Sequence, residues 1–146
     1  MLNLPRFKAA AVQAAPVYLD TDATVDKVCA LIEEAAGNGA SLVAFPEVFV
    51  AGYPYWNWIM TPIEGSPWFE KLCRSAIEIP GPEIRRIAAA AQACKVHVVV
   101  GVNERAAHGL GTIYNTLVTI GPDGRLLGRH RKLVPTWAEK LTWANG

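Results

Sequence analysis

Charged residues are scarce in this 146-residue chain. Asp, Glu, Lys and Arg make up 18% of it, whereas apolar residues make up 51% even with the 12 glycines left out. Ordinary soluble domains contain about 25% charged residues, and about 45–50% apolar residues with glycine included. We therefore expect a large apolar face of this chain to be covered by another segment or another subunit.

The chain also has no surplus of positive charge. Its formal net charge is +1, and its only basic run is Arg129-His130-Arg131-Lys132. On a strand this run divides between two faces, with Arg129 and Arg131 on one and His130 and Lys132 on the other. Because phosphate binding needs a clustered positive surface, these features argue against nucleic acid as a partner.

Cysteines are few, and their number is odd. Cys29, Cys73 and Cys94 are too widely spaced for a disulfide framework, so we expect a reducing compartment and a cytoplasmic protein. No apolar stretch approaches the ~18 residues that span a membrane. Gln13 and Pro16 interrupt the short apolar run near the start, which argues against a secretory signal. We therefore expect no membrane association.

Two kinds of binding motif are absent. No glycine-rich phosphate loop follows the first predicted strand, where Ala14-Ala15-Pro16 stands instead. The three histidines, His97, His108 and His130, lack metal-ligand spacing. We therefore expect neither a dinucleotide nor a metal, and we predict that the protein uses no cofactor.

Periodicity predicts alternating strands and helices. Val25, Val28 and Ile32 lie on one face of an amphipathic helix at 23–36. The run Gly121-Pro122-Asp123-Gly124 has turn chemistry and predicts an antiparallel hairpin. The predicted strands are 7–13, 42–45, 96–102, 113–120 and 126–131, and the predicted helices are 23–36, one after the long loop, and 83–94. This order predicts an α/β domain with a mixed sheet and a right-handed crossover between its first two strands.

The clearest functional signal is a carboxylate at the end of a buried strand. Pro46 ends the ladder of the strand at 42–45, and Glu47 then stands beside Phe45 and Val48. Apolar surroundings raise a carboxyl pKa and a nearby cation lowers it. A carboxylate held between these two influences suits a general base. The structural alternative is a carboxylate that caps the next turn or pairs with an arginine.

A second signal lies at 131–136, where Lys132 ends a predicted strand within Arg131-Lys132-Leu133-Val134-Pro135-Thr136. Glu139 follows shortly afterwards. Together with the run from Gly39 to Pro54, GASLVAFPEVFVAGYP, this segment resembles the nitrilase superfamily, the carbon–nitrogen hydrolases. The first run matches the family's first motif throughout, and the second is similar to its lysine motif. The resemblance extends over essentially the whole chain but over only the first part of a complete family member.

The resemblance implies an α-β-β-α sandwich, of which residues 1–146 form the amino-terminal part of a single domain. It implies that Glu47 is the general base, that Lys132 stabilises the charged intermediate, and that Glu139 is a second catalytic glutamate near the site. The family's nucleophile is a cysteine in a Cys-Trp-Glu context, which this sequence does not contain. We therefore expect the missing carboxyl-terminal half to supply it, and the isolated chain to be inactive. The family also implies a homo-oligomer.

Lys132 and Glu139 have structural alternatives as well. A lysine at a strand end is often simply solvated. Glu139 and Lys140 would also suit a polar turn beside Trp137 and Trp143. The family motifs favour the catalytic interpretation for both residues.

The densest aromatic cluster follows Glu47 and contains Tyr53, Tyr55, Trp56 and Trp58. Such clusters usually pack in cores or interfaces. We expect a mixture here, in which Tyr53 fixes the Glu47 loop and Trp56 or Trp58 shapes a substrate-binding cleft or its rim.

These motifs predict a thiol-dependent hydrolase that converts nitriles to carboxylic acid and ammonia. Gly52-Tyr53-Pro54 and Pro135-Thr136 resemble the nitrilase branch, whereas amidases and carbamoylases share the glutamate and lysine motifs and remain the alternative. The predicted substrate is therefore a small nitrile or amide. A short non-catalytic relative that binds a partner, and a processed or split product, are further hypotheses. The gene sequence after Gly146 distinguishes them.

Overall fold

The computed structural model describes residues 6–109 and 111–146. Five strands and three helices follow one another, with two short 3-10 helices at Tyr55–Trp58 and Trp137–Leu141. The strands are β1 (Ala9–Ala11), β2 (Leu42–Ala44), β3 (His97–Arg105), β4 (Ile113–Ile120) and β5 (Leu126–Arg131). The helices are α1 (Thr21–Gly37), α2 (Pro62–Ser75) and α3 (Pro82–Cys94).

All five strands form one mixed sheet in the order β1-β2-β3-β4-β5. The first three are parallel, and β4 and β5 are added antiparallel to β3 and to each other. A parallel neighbour requires a crossover, which α1 provides between β1 and β2. The predicted α/β class with a mixed sheet is therefore confirmed.

One face of the sheet is covered by α1 and α3. Asp20 caps α1 by accepting a hydrogen bond from the Ala23 N–H at 3.0 Å. The core between these helices and the sheet is a single apolar cluster that includes Val28, Ile87 and Val100. The chain thus contains one helical layer and one sheet, the arrangement expected of half of an α-β-β-α sandwich.

On the opposite face of the sheet, side chains are more accessible. Ala9 and Ala11 of β1 are exposed, and so are Leu117 of β4 and His130 of β5. A smaller apolar cluster joins Leu72 of α2 to Trp143, which follows the Trp137–Leu141 segment.

Strand bounds differ from the predicted ones by more than one residue in β1 and at the end of β3. β1 pairs only over Ala9–Ala11 instead of 7–13, because β2 offers it only three partners. β3 continues to Arg105 instead of ending at residue 102, because β4 pairs with it along its full length. Asn103 and Glu104 therefore lie inside a strand, although their polarity suggested its end.

Among the described residues, no helix combines the length and the apolar character that a bilayer crossing requires.

Candidate active site

The turn that presents Glu47 lies directly against β3. After β2, the Phe45 N–H donates to the Val99 carbonyl at 2.8 Å, and Val48 then adopts a left-handed φ of 41°. That conformation is strained for a β-branched residue. A Cβ on Gly101 would lie 2.4 Å from the Val48 nitrogen, so only glycine lets the Glu47 turn approach this closely.

Lys132 is the central cation of the site. It directly follows β5, and its backbone N–H donates to the Asn115 carbonyl at 2.8 Å. Its ammonium nitrogen lies 3.0 Å from Glu47 Oε1 and 2.8 Å from Glu139 Oε2. The structure therefore brings the three predicted catalytic residues together, although they are up to 92 positions apart, from 47 to 139, in the sequence.

Glu139 lies in the Trp137–Leu141 helix, where it is only 5% exposed. The Thr136 N–H donates to its Oε2 at 2.6 Å, and the Tyr53 hydroxyl donates to its Oε1 at 2.9 Å. Burial alone would raise the pKa of Glu139, but Lys132, Thr136 and Tyr53 together hold that pKa below its ordinary value. Glu139 is therefore a buried, ionised partner of Lys132.

The same contacts determine the protonation of the neighbouring groups. Desolvation opposes the charge on Lys132, but its hydrogen bonds to Glu139 and Glu47 raise its pKa above the ordinary value. Burial raises the pKa of Tyr53, against a lowering contribution from Trp58, and the Glu139 carboxylate raises it further. Near neutral pH, the site thus holds an ammonium and a neutral phenol.

Glu47 is more accessible than its sequence neighbours suggested. Phe45, Val48 and Phe49 are buried, but the Glu47 side chain is 49% exposed and lines an open cleft of about 690 Å³. The expected apolar surroundings of this carboxylate are therefore not what the structure shows. The reason is that its turn directs the side chain away from the core that its neighbours fill.

The aromatic residues separate into two environments. Trp58 donates its Nε1–H to the Tyr53 hydroxyl at 3.3 Å, so both belong to the network around Glu139. Trp56 is not brought to these groups; it is buried between Gly65 and Trp68, with a ring-centroid distance of 6.4 Å to the latter. Its surroundings are those of a packing residue.

Two buried polar groups at or near the site were missed by sequence reasoning. The Asn115 side chain donates to Glu47 Oε1 at 2.6 Å. Glu104 accepts hydrogen bonds from Arg129, Arg131 and Thr116. The available signal was the position of Asn115 inside the predicted strand 113–120, since a polar side chain that a strand buries requires a hydrogen-bond partner.

None of the described residues that line the cleft beside Glu47 is a cysteine. Cys29 and Cys94 pack against the core between the helices and the sheet, and Cys73 packs against the cluster of Leu72 and Trp143. Burial raises the pKa of the Cys29 and Cys73 thiols, the opposite of what an activated nucleophile needs.

The chain belongs to the carbon-nitrogen hydrolase family, whose sequence model matches residues 8–146. It is 43% identical to a nitrilase of Bacillus sp. (strain OxB-1) over 146 residues, which are 100% of this chain and 42% of that protein. It is 43% identical to an aliphatic nitrilase of Rhodococcus rhodochrous over 141 residues, 96% of this chain and 38% of that protein. The chain spans about two fifths of the length of these curated relatives.

Solved structures show the same fold. An amidase from Nesterenkonia sp. superposes with a TM-score of 0.66 at 18% identity, over 94% of this chain and 47% of that one. A double mutant of the amidase from Nesterenkonia sp. AN1, in complex with acrylamide, gives a TM-score of 0.68 at 18% identity, over 98% of this chain and 50% of that one. The predicted fold class is thereby confirmed.

Proposed function

We propose that this chain is the amino-terminal part of a nitrilase-type hydrolase that converts nitriles to carboxylic acids and ammonia. The observation that supports this most directly is the Lys132 ammonium, held between the half-exposed carboxylate of Glu47 and the buried one of Glu139. The similarity to nitrilases adds the expected substrate class.

In this proposal the nucleophile is a cysteine thiol supplied from outside residues 1–146. Glu47 accepts the thiol proton as the sulfur forms a bond to the nitrile carbon. The nitrile nitrogen gains an electron pair from the C≡N bond and takes the proton held by Glu47, which gives a thioimidate and restores the Glu47 carboxylate. Lys132 stabilises the negative charge that develops on that nitrogen by donating a hydrogen bond.

Hydrolysis of the thioimidate then takes two water molecules. Glu47 removes a proton from the first, whose oxygen adds to the carbon, and the C–N bond breaks to release ammonia and leave a thioester. A second water releases the carboxylic acid and returns the thiol. Glu139 takes no proton in this scheme, because both of its oxygens already accept hydrogen bonds and it is buried.

The proposal includes the assembly as well. Residues 1–146 form part of one carbon–nitrogen hydrolase domain, and the carboxyl-terminal half of that domain and further copies of the protein are the proposed partners. The cytoplasm is the proposed compartment, and no cofactor takes part. Tyr53 and Trp58 are the proposed substrate-side residues, because both contact the Glu139 network, whereas Trp56 packs against Gly65 and Trp68.

The test measures ammonia release from aliphatic nitriles and from the matching amides. A protein that carries this chain together with its Cys-Trp-Glu segment is expected to act on nitriles, and the 146-residue chain alone on neither substrate. Glu47→Gln and Lys132→Met are each expected to lower kcat by about 10²-fold or more. Glu70→Gln changes an exposed glutamate on α2 and is the matched control. Faster turnover of amides, or full activity of Lys132→Met, contradicts the proposal.

A further inference from the structure

Asn115 contacts two of the three proposed catalytic residues, Glu47 and Lys132. It lies in β4 and is only 7% exposed. Its side-chain amide donates to Glu47 Oε1 at 2.6 Å, and its backbone carbonyl accepts the Lys132 N–H at 2.8 Å. One residue in the middle of the sheet therefore sets the position of two groups that come from the ends of different strands.

The two oxygens of the Glu47 carboxylate have different surroundings. Oε1 accepts hydrogen bonds from the Asn115 amide at 2.6 Å and from the Lys132 ammonium at 3.0 Å. No described residue donates to Oε2. The Glu139 carboxylate differs, since each of its oxygens accepts from two groups.

A half-exposed glutamate without such an anchor has several rotamers open to it, and holding one of them costs side-chain entropy. A second donor on Oε1 limits that freedom. Asn suits this place because it offers an N–H donor and carries no charge, so it holds the carboxylate without competing with Lys132 as a cation.

We propose that Asn115 is a positioning residue that holds Glu47 by Oε1, so that Oε2 is the oxygen that exchanges protons with the thiol and the attacking water. This inference rests on the proposed function, and it deepens that function by dividing the work between the two carboxylate oxygens.

The contact itself is tested without activity, by NMR of the 146-residue protein. The side-chain amide resonances of Asn115 are expected to move with pH as the Glu47 carboxylate gains its proton, and to lose this movement in Glu47→Gln. The Asn103 amide is an internal control, because it is fully buried and donates only to the carbonyls of Val50 and Gly52. Asn115 resonances that do not respond to pH in the unmodified protein overturn the inference.

The catalytic meaning is tested in the protein that carries this chain and its Cys-Trp-Glu segment. Asn115→Leu is expected to lower kcat by about 10²-fold, the loss that follows a misplacement of about 1 Å, while KM stays near its original value. Asn115→Asp puts a second carboxylate beside Glu47, so the pH at which kcat/KM falls on the acid side is expected to rise.

Thr116→Val is the matched control. Thr116 neighbours Asn115 in β4 but donates to Glu104 instead, so its variant is expected to keep the pH profile even if stability falls. Unchanged kcat and pH profiles in both Asn115 variants overturn the inference while leaving the proposed function intact. If the parent protein hydrolyses neither nitriles nor amides although the Asn115 resonances follow the protonation of Glu47, the proposed function fails. The catalytic role of the Asn115 contact then fails as well.

Discussion

Glu104→Gln removes the charge of a buried carboxylate that lies apart from the cleft. It is expected to destabilise the 146-residue protein by about 3 kcal/mol. Glu104 is 1% exposed. Its Oε1 lies 2.8 Å from Arg129 and 2.6 Å from Arg131, and its Oε2 accepts from Thr116 at 2.7 Å and from Arg131 at 3.0 Å. The amide of glutamine has the same shape, but it places an NH₂ group against two of these donors.

The magnitude follows from the hydrogen bonds and ion pairs that the substitution breaks. A hydrogen bond to a charged group contributes about 1.5–3 kcal/mol, and removing one partner of a buried ion pair costs about 3–5 kcal/mol. Arg129 and Arg131 keep side-chain exposures of 44% and 30%, so water compensates part of the cost of leaving them unpaired, and the lower end of that range applies.

The assay is urea unfolding at several pH values, with the slope of the transition checked for constancy. Burial would raise the pKa of Glu104, but Arg131 and Thr116 hold it below the ordinary 4.5. A group whose pKa is lowered by folding stabilises fully above its unfolded-state pKa and loses this contribution as pH falls through the folded value. The difference in free energy of unfolding between the original protein and Glu104→Gln is therefore expected to be constant near neutral pH and to shrink below about pH 4.5.

Glu78→Gln is the control for that experiment. Glu78 pairs with Arg105 at 3.2 Å on the surface, where the expected change is within about 0.5 kcal/mol. A loss below about 1 kcal/mol in Glu104→Gln, or a loss equal to that of the control, would show that the buried ion cluster does not stabilise the sheet as argued.

Two further predictions concern the cleft. Gly101→Ala is expected to lower the free energy of unfolding by about 2 kcal/mol, because its Cβ would meet the backbone of Val48. The control is Gly128→Ala on β5, which is expected to change that free energy by less than about 0.5 kcal/mol, because no atom lies within 4 Å of its Cβ. Equal losses of the two variants in urea unfolding would contradict this prediction. Lys132→Met is expected to lower the free energy of unfolding by about 1 kcal/mol near neutral pH, because it removes the ion pairs with the Glu47 and Glu139 carboxylates. Desolvation opposes the charge on Lys132, but the two carboxylates raise its pKa in the folded protein. The stability that Lys132 contributes is therefore complete below the ordinary pKa of 10.5 and is lost as pH rises through the higher pKa of the folded state. A stability difference that persists unchanged well above pH 10.5 would refute the ion-pair explanation.

Local sequence patterns differ most from the structure in β3 and in the aromatic cluster. Glu104 follows an apolar run, so local pattern ends the strand before it, yet pairing with Tyr114 of β4 keeps it in the sheet. Trp56 and Trp58 are two positions apart in one short helix and have opposite surroundings. Side-chain direction in an irregular segment depends on what packs against it, and no local period encodes that.

The sequence by itself determined local features, namely strand bounds and contiguous motifs. Strands β4 and β5 have the predicted bounds, because the Gly-Pro-Asp-Gly turn between them and the residues of each strand are consecutive in the sequence. The family, and Glu47 and Lys132 at the ends of their strands, could also be recognised from contiguous motifs. Strand alternation even separated Arg131 from Lys132, which contact Glu104 and Glu47 respectively.

What only the tertiary structure decided was which groups meet. The register of β5 on β4 places Arg131 opposite Thr116 and so beside Glu104. The close approach of the Glu47 turn to Gly101 places its carboxylate within reach of Asn115. These distances depend on pairing between segments tens of residues apart, and that pairing follows from the packing of the whole sheet.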